Sequence, residues 1–183
     1  MSDTLDKPYD EQLVIGQLYE KYLNAVMSHL KGRTVIGYET QKEQYEIGEN
    51  DACIEVKRDG KFRKTGNLYV ETSEKTKESN RYFVKSGILR IDNSVWWIEG
   101  DEKLAWLFYK KDLILIHEEL PMASNPTSKG RLLTTSKADK LCVAKIYFRS
   151  EDGTEFDIIE NQDYRKWKNS FKVSEEEIAV LPI

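Results

Sequence analysis

The first regular pattern along the chain lies between Asp10 and Leu30, where Leu13, Val14, Leu18, Tyr22, Val26 and Leu30 recur at helical spacing. Asp10 can cap the start of this helix and Gly32 can end it. Gly16 falls inside it, where glycine costs up to about 1 kcal/mol relative to alanine, so a close packing contact is expected there. After Gly32 the pattern shortens to strand-like runs at 34–38, 44–47, 52–58 and 67–72, and later at 86–91, 94–98 and 104–109. Gly48-Glu49-Asn50-Asp51, Asp59-Gly60, Asp92-Asn93 and Gly100-Asp101 supply the turns. Residues 73–85 are polar and read as an irregular excursion. Residues 110–119 read as a short helix or a helix-capped strand, and 121–130 as a loop. Residues 141–149 and 155–159 form a late strand pair, and a short helix is expected in the tail from Asp163. This alternation predicts an α/β fold, a mixed central sheet flanked by helices, in one domain spanning residues 1–183.

Composition narrows the class. The chain has 183 residues, 39% hydrophobic and 33% charged, which suits one soluble domain. Ten Tyr, six Phe and four Trp give it the bulk for a core. No apolar run approaches the roughly 20 residues of a membrane span, and the acidic start carries no signal core. Cys53 and Cys142 have no metal-type spacing, so a reducing cytoplasmic setting is expected. His29 and His117 are isolated, which argues against zinc. Neither a nucleophile elbow nor a phosphate-binding or dinucleotide glycine loop is present, so no nucleotide cofactor is expected. The net charge of −4 argues against general coating of nucleic acid, but 57–64 (KRDGKFRK) has five basic residues against one acidic.

The chemistry concentrates between residues 45 and 75. Glu55 and Lys57 are two apart on an apolar strand and therefore share a face. Glu46, Glu49 and Asp51 cluster just upstream. Carboxylates hold Mg²⁺, and a neighbouring ammonium positions or activates a water and offsets charge on a phosphate. Mn²⁺ suits the same oxygen ligands. Taken alone, Glu55-x-Lys57 is a common strand pattern that more often marks a solvated ion pair.

The arrangement resembles the PD-(D/E)XK nuclease superfamily, especially its small phage and prokaryotic endonuclease-like members. Gly16-Gln17-Leu18-Tyr19-Glu20 resembles the family's helix motif, Tyr45-Glu46-Ile47 its acidic strand with Glu for Asp, and Ile54-Glu55-Val56-Lys57 its third motif. Lys64-Thr65-Gly66-Asn67-Leu68-Tyr69-Val70-Glu71 resembles the following strand in members with a Thr-Gly-Asn signature, and Ser86-Gly87-Ile88 a later motif. There is no Pro-Asp dipeptide. The similarity spans residues 12–115. It implies a restriction-endonuclease-like core and a Mg²⁺-dependent DNA endonuclease, with Glu46 and Glu55 on the metal. Lys57 would act on the attacking water, and Glu20 would hold a second metal or the lysine. Asp51 is only four residues before Glu55, so Glu46, across the turn, is preferred as second carboxylate. Glu49 and Asp51 are reserves.

Glu71 ends a strand expected to pair beside the Glu55 strand. It is read either as an extra metal or water ligand or as an ion-pair partner of Lys57 or the basic hairpin. Arg58, Lys61, Arg63 and Lys64 on that hairpin are expected to contact the DNA backbone, with Arg81, Tyr82, Lys85 and Arg90 as an extension. Nothing looks like a separate target-recognition domain, so action as a homodimer or with a partner is a further expectation. The same scaffold would also serve a catalytically inactive nucleic-acid-binding or assembly protein.

Overall fold

Apolar residues run almost without break along central segments such as Trp96-Trp97-Ile98 and Leu104–Tyr109, so successive side chains give each strand two apolar faces and both need covers. A computed structural model describes residues 9–38, 47–48 and 50–164 and shows how this is met. Helix α1 (Tyr9–Lys31) precedes β1 (Ile54–Arg58). The chain continues through α2 (Phe62–Thr65), β2 (Asn67–Glu74), β3 (Val84–Lys85), β4 (Trp96–Gly100), β5 (Leu104–Tyr109) and α3 (Lys110–Ile116). It ends in β6 (Met122–Ser124), β7 (Ser128–Thr134), α4 (Thr135–Leu141), β8 (Ala144–Phe148) and β9 (Phe156–Glu160). A five-stranded mixed sheet runs β1-β4-β5-β8-β9, with β1 parallel to β4 and the other neighbours antiparallel. A four-stranded antiparallel sheet runs β3-β2-β7-β6.

The alternation divides the core into two. Tyr19, Leu23, Val26 and Met27 of α1 pack on Ile54, Val56, Ile98, Ala105, Leu107 and Ile146, one face of the five-stranded sheet. Trp97, Trp106 and Phe108 point to the other face. There they meet Leu68, Val70 and Leu133 of the second sheet, Leu113 and Ile116 of α3, and Ala138 and Leu141 of α4. The α/β class and the mixed sheet flanked by helices are as expected, and the second sheet adds a further layer. Among the described residues no helix is long and apolar enough to cross a membrane.

Several local expectations are corrected. β2 does not pair beside β1; it lies in the other sheet. Asp59-Gly60 is therefore not a hairpin tip. The Asp59 carboxylate accepts from the backbone N–H groups of Lys61, Phe62 and Tyr69, which starts α2 and ties β2 to the end of β1. Residues 87–89 form a 3-10 turn rather than a strand, and 34–38 contributes only an isolated bridge from Gly37 to Asn50. The loop expected at 121–130 contains β6 and the start of β7. Gly16 makes no close contact, since a Cβ there would meet nothing within 4 Å. The expected segment 44–47 lies outside the described residues except for Ile47, as does nearly all of the tail after Asp163.

Two glycines of the motifs have physical roles. Gly66 ends α2 at φ 73° and donates its N–H to the Phe62 carbonyl, a left-handed cap. Gly87, at φ 52°, has the Glu71 backbone where a side chain would begin. It brings the 3-10 turn against β2, and Ser86 with it.

Candidate active site

Among the described residues β1 is the edge strand of its sheet, and both of its faces are covered. Parallel pairing sets Glu55 beside Trp97 and Lys57 beside Glu99, on the face opposite α1. Glu55 is fully buried, and two cations reach it: the Lys57 ammonium lies 2.9 Å from Oε1 and Arg90 Nη2 2.9 Å from Oε2. Oε1 has this ion-pair contact but no hydrogen bond of good geometry. Ser94 Oγ stands 3.4 Å from Oε2. Arg90 also bonds Asp92 through Nε at 2.7 Å, and Lys110 Nζ bonds the other Asp92 oxygen at 2.8 Å. The result is an alternating chain, Lys57–Glu55–Arg90–Asp92–Lys110, in which the two carboxylates are wholly buried. Burial alone would raise the Asp92 carboxyl, but hydrogen bonds from Lys110, Arg90 and the Ser94 N–H outweigh it and hold it below the usual aspartate range.

The second wall comes from β2. Pairing with β7 slips by one residue between Glu71 and Ser73. This bulge sets Glu71 and Glu74 on one face, opposite Gly130 and Ser128. Glu71 accepts from Ser86 Oγ at 2.7 Å and from Ser128 Oγ at 2.9 Å, and Tyr69 OH lies 2.9 Å from the same Ser128 hydroxyl. Glu74 is raised by partial desolvation and by the Glu71 charge, with Lys57 and Arg90 pulling it down and Glu55 pushing it up. It therefore sits within electrostatic reach of both walls.

Below Lys57 lies Glu99, 1% exposed, with Trp97 Nε1 donating to Oε2 at 2.7 Å and Oε1 unpartnered. Burial pushes this carboxyl up to about 8, with the Asp59 charge adding to the rise and Lys57 opposing it. The folded protein thus keeps a proton that the unfolded chain releases near pH 4.5. Stability should decline as pH rises from there to about 8, by up to about 1.4 kcal/mol per pH unit. Glu99→Gln is expected to melt higher than the parent at pH 8 and close to it at pH 5. Thermal melts across that range check this, and equal pH slopes for the two proteins would contradict it.

The other expected residues are placed as follows. Glu46 and Glu49 lie outside the described residues. Glu20 is half-buried on α1, the helix that covers the opposite face of the sheet from Glu55. Asp51 accepts from Arg33 at 2.6 Å and from the Ile36 N–H at 2.9 Å, which turns it to the 33–36 segment. Glu71 does join the cluster, held by serine hydroxyls rather than by either partner expected for it. Arg58 is paired with Glu102 and Arg63 with Asp101, while Lys61 and Lys64 are exposed. Asp92 was marked only as a turn residue, and Ser94, Lys110, Ser128 and Glu74 carried no functional signal in the sequence. Ser86 was marked by the Ser-Gly-Ile motif alone.

Among the described residues no three acidic, histidine or cysteine side chains are placed to hold a metal ion. Of the carboxylates described, Glu55 alone offers a buried oxygen with no hydrogen bond, beside the Lys57 ammonium, while both Glu71 oxygens are taken by serine hydroxyls. No protein-family model, no curated protein and no solved structure matches the chain.

Proposed function

We propose that the chain is a metal-dependent DNA endonuclease that hydrolyses phosphodiester bonds, with Glu55 and Lys57 at its centre. The observation that carries this reading is the pair itself: a wholly buried carboxylate touched at 2.9 Å by the lysine two residues on, with one lone-pair-bearing oxygen left without a hydrogen bond. A buried carboxylate of this kind is expensive unless it is paired or ligates a cation. Here it has an acidic second wall and a phosphate-compatible cation beside it. The resemblance of the 54–57 segment to the PD-(D/E)XK third motif agrees with the same chemistry.

In this proposal Glu55 and Glu46 would hold Mg²⁺, and Mn²⁺ would substitute; Glu20, on the helix across the sheet, is not a ligand of that ion. The metal, when bound, acidifies a water and neutralises charge on the scissile phosphate. Lys57, as an ammonium, would orient the attacking water and offset charge building on the scissile phosphate. Arg90 fixes Glu55 through Oε2 and leaves Oε1 for the cation. Glu99, neutral below about pH 8, leaves the Lys57 charge available to the reaction. The Glu71–Ser86–Ser128 group braces the β2 wall, and Glu74 holds a further water.

A second reading has its own support. Both Glu55 oxygens already have cations beside them, Lys57 and Arg90, so the site is charge-compensated without a metal. On this reading the chain is a non-catalytic nucleic-acid-binding or assembly protein on the same scaffold. Incubating purified protein with supercoiled plasmid and single-stranded DNA, with Mg²⁺, Mn²⁺ or EDTA, separates the two. The hydrolase nicks plasmid or shortens single strands with either metal and does neither in EDTA; salt-sensitive binding without cleavage leaves the second reading.

A further inference from the structure

We propose that the 75–85 excursion is a stacking platform for a single-stranded stretch of the nucleic acid that enters the Glu55 site. The inference rests on the reading above only for the class of substrate. Residues 75–85 carry Lys75, Lys77, Arg81 and Lys85 against one acid, Glu78, in a chain whose net charge is −4. That is a local reversal of sign suited to a polyanion.

The excursion is built rather than loose. Lys75 donates its backbone N–H to the Thr127 carbonyl at 2.7 Å and its ammonium to the Glu78 carbonyl at 2.8 Å. Asn80 closes back on Lys77 and Thr76. Phe83 is half-buried between two ammoniums, Lys75 at 4.8 Å and Lys129 at 4.3 Å from its ring centre. Phe83 thereby anchors the segment, and those cations are held at fixed places on its surface.

Tyr82, next to it, is turned out instead: 70% exposed, with only the Arg81 guanidinium 5.1 Å from its ring centre among its described ring contacts. An exposed ring with a guanidinium beside it, on a segment that also fixes two ammoniums at the neighbouring Phe83, is an arrangement on which a base stacks while nearby phosphates are neutralised. A duplex keeps its bases stacked on one another and cannot use the ring, so the chemistry selects an unpaired strand. Position supports the same partner. β3 follows the platform directly and pairs with β2 at Ser73 and Glu74, and Ser86 then bonds Glu71. A strand lying on Tyr82 is thus led to the Glu71–Glu74 wall of the site.

The test is fluorescence anisotropy in EDTA, which separates binding from cleavage, with the full chain and three probes. These are a thymidine oligomer, an abasic oligomer of the same length, and a duplex of that length. The parent should bind the thymidine oligomer most tightly. Tyr82→Ala should weaken that binding about tenfold, leave the abasic oligomer unchanged, and melt at the parent temperature because the ring is exposed. Tyr82→Trp should restore binding. Equal affinity of the parent for thymidine and abasic oligomers, an unchanged Tyr82→Ala, or no binding of any probe would each overturn the proposal. Cutting of single strands in Mg²⁺ distinguishes the two readings. A parent that cuts while Tyr82→Ala binds and cuts alike leaves the hydrolase and removes the platform. A platform that behaves as stated on a parent that never cuts leaves the platform and removes the hydrolase.

Discussion

Lys57→Met should lower metal-dependent DNA cleavage by about 10²- to 10³-fold, the range expected when a positioned charge-stabilising group is lost. Lys57 is the residue whose removal separates catalysis from architecture most cleanly. Its side chain is about one-third exposed, while the carboxylate it touches is buried. The methylene stem, which reaches along the Trp97 ring with the ammonium 5.9 Å from its centre, is retained by methionine. Arg90 still neutralises Glu55 from the other side, so the fold should persist at assay temperature. The loss should fall on kcat, with KM little changed, because the group acts on the attacking water rather than on distant parts of the substrate. Single-turnover rates at saturating Mg²⁺ read this directly. A variant that retains full activity would show that the lysine is a structural counter-ion and that the site assignment is wrong.

Arg90→Met should cost about 3–5 kcal/mol of folding stability, the scale for removing one partner from a buried ion pair. Arg90 is the only guanidinium described between two wholly buried carboxylates, bonding Glu55 at 2.9 Å and Asp92 at 2.7 Å. Without it, Asp92 keeps Lys110 and Glu55 keeps Lys57, but each carboxylate loses a hydrogen-bond donor in a place water does not reach. Arg90→Lys should recover little, because an ammonium on a shorter stem cannot fork to both groups. Urea unfolding followed by tryptophan fluorescence measures the difference. A loss under about 1 kcal/mol would mean that the chain of charges tolerates the gap, and that Arg90 serves the site alone. Asp92 adds a pH signature. Its carboxyl is held below the usual range, so its contribution is present above about pH 4 and is lost as the pH falls below that.

The parts of this site that were legible in the sequence are the local ones. Glu55 and Lys57 share a face because a strand alternates, and that needs only the adjacent residues. The burial of Glu55 followed from Ala52, Ile54 and Val56 around it. Arg90, Asp92 and Lys110 were not legible, because they reach Glu55 only through the parallel pairing of β1 with β4 and the placement of α3 behind it. The same holds for the β2 wall. Glu71 and Glu74 are three apart, which in an unbroken strand sends them to opposite faces, and only the bulge at Thr72 reunites them. Asp59-Gly60 shows the limit of turn composition. It marks where the chain leaves β1 but not which strand comes next, and Asp59 is used to start α2 instead of closing a hairpin. The β7–α4 segment escaped for another reason. Ser128–Leu141 has few apolar residues, and its one fully buried strand side chain, Leu133, gives no period to detect.

Plasmid nicking by the parent protein and by Glu55→Gln, measured side by side over a Mg²⁺ titration, bears on the whole account. Glutamine keeps the volume and a carbonyl for Arg90, but it removes the charge that a cation needs. The parent should nick with increasing Mg²⁺ and stop in EDTA, while Glu55→Gln stays inactive at every concentration though folded. Nicking that is equal in the two proteins, or absent from the parent with every metal tried, would contradict it.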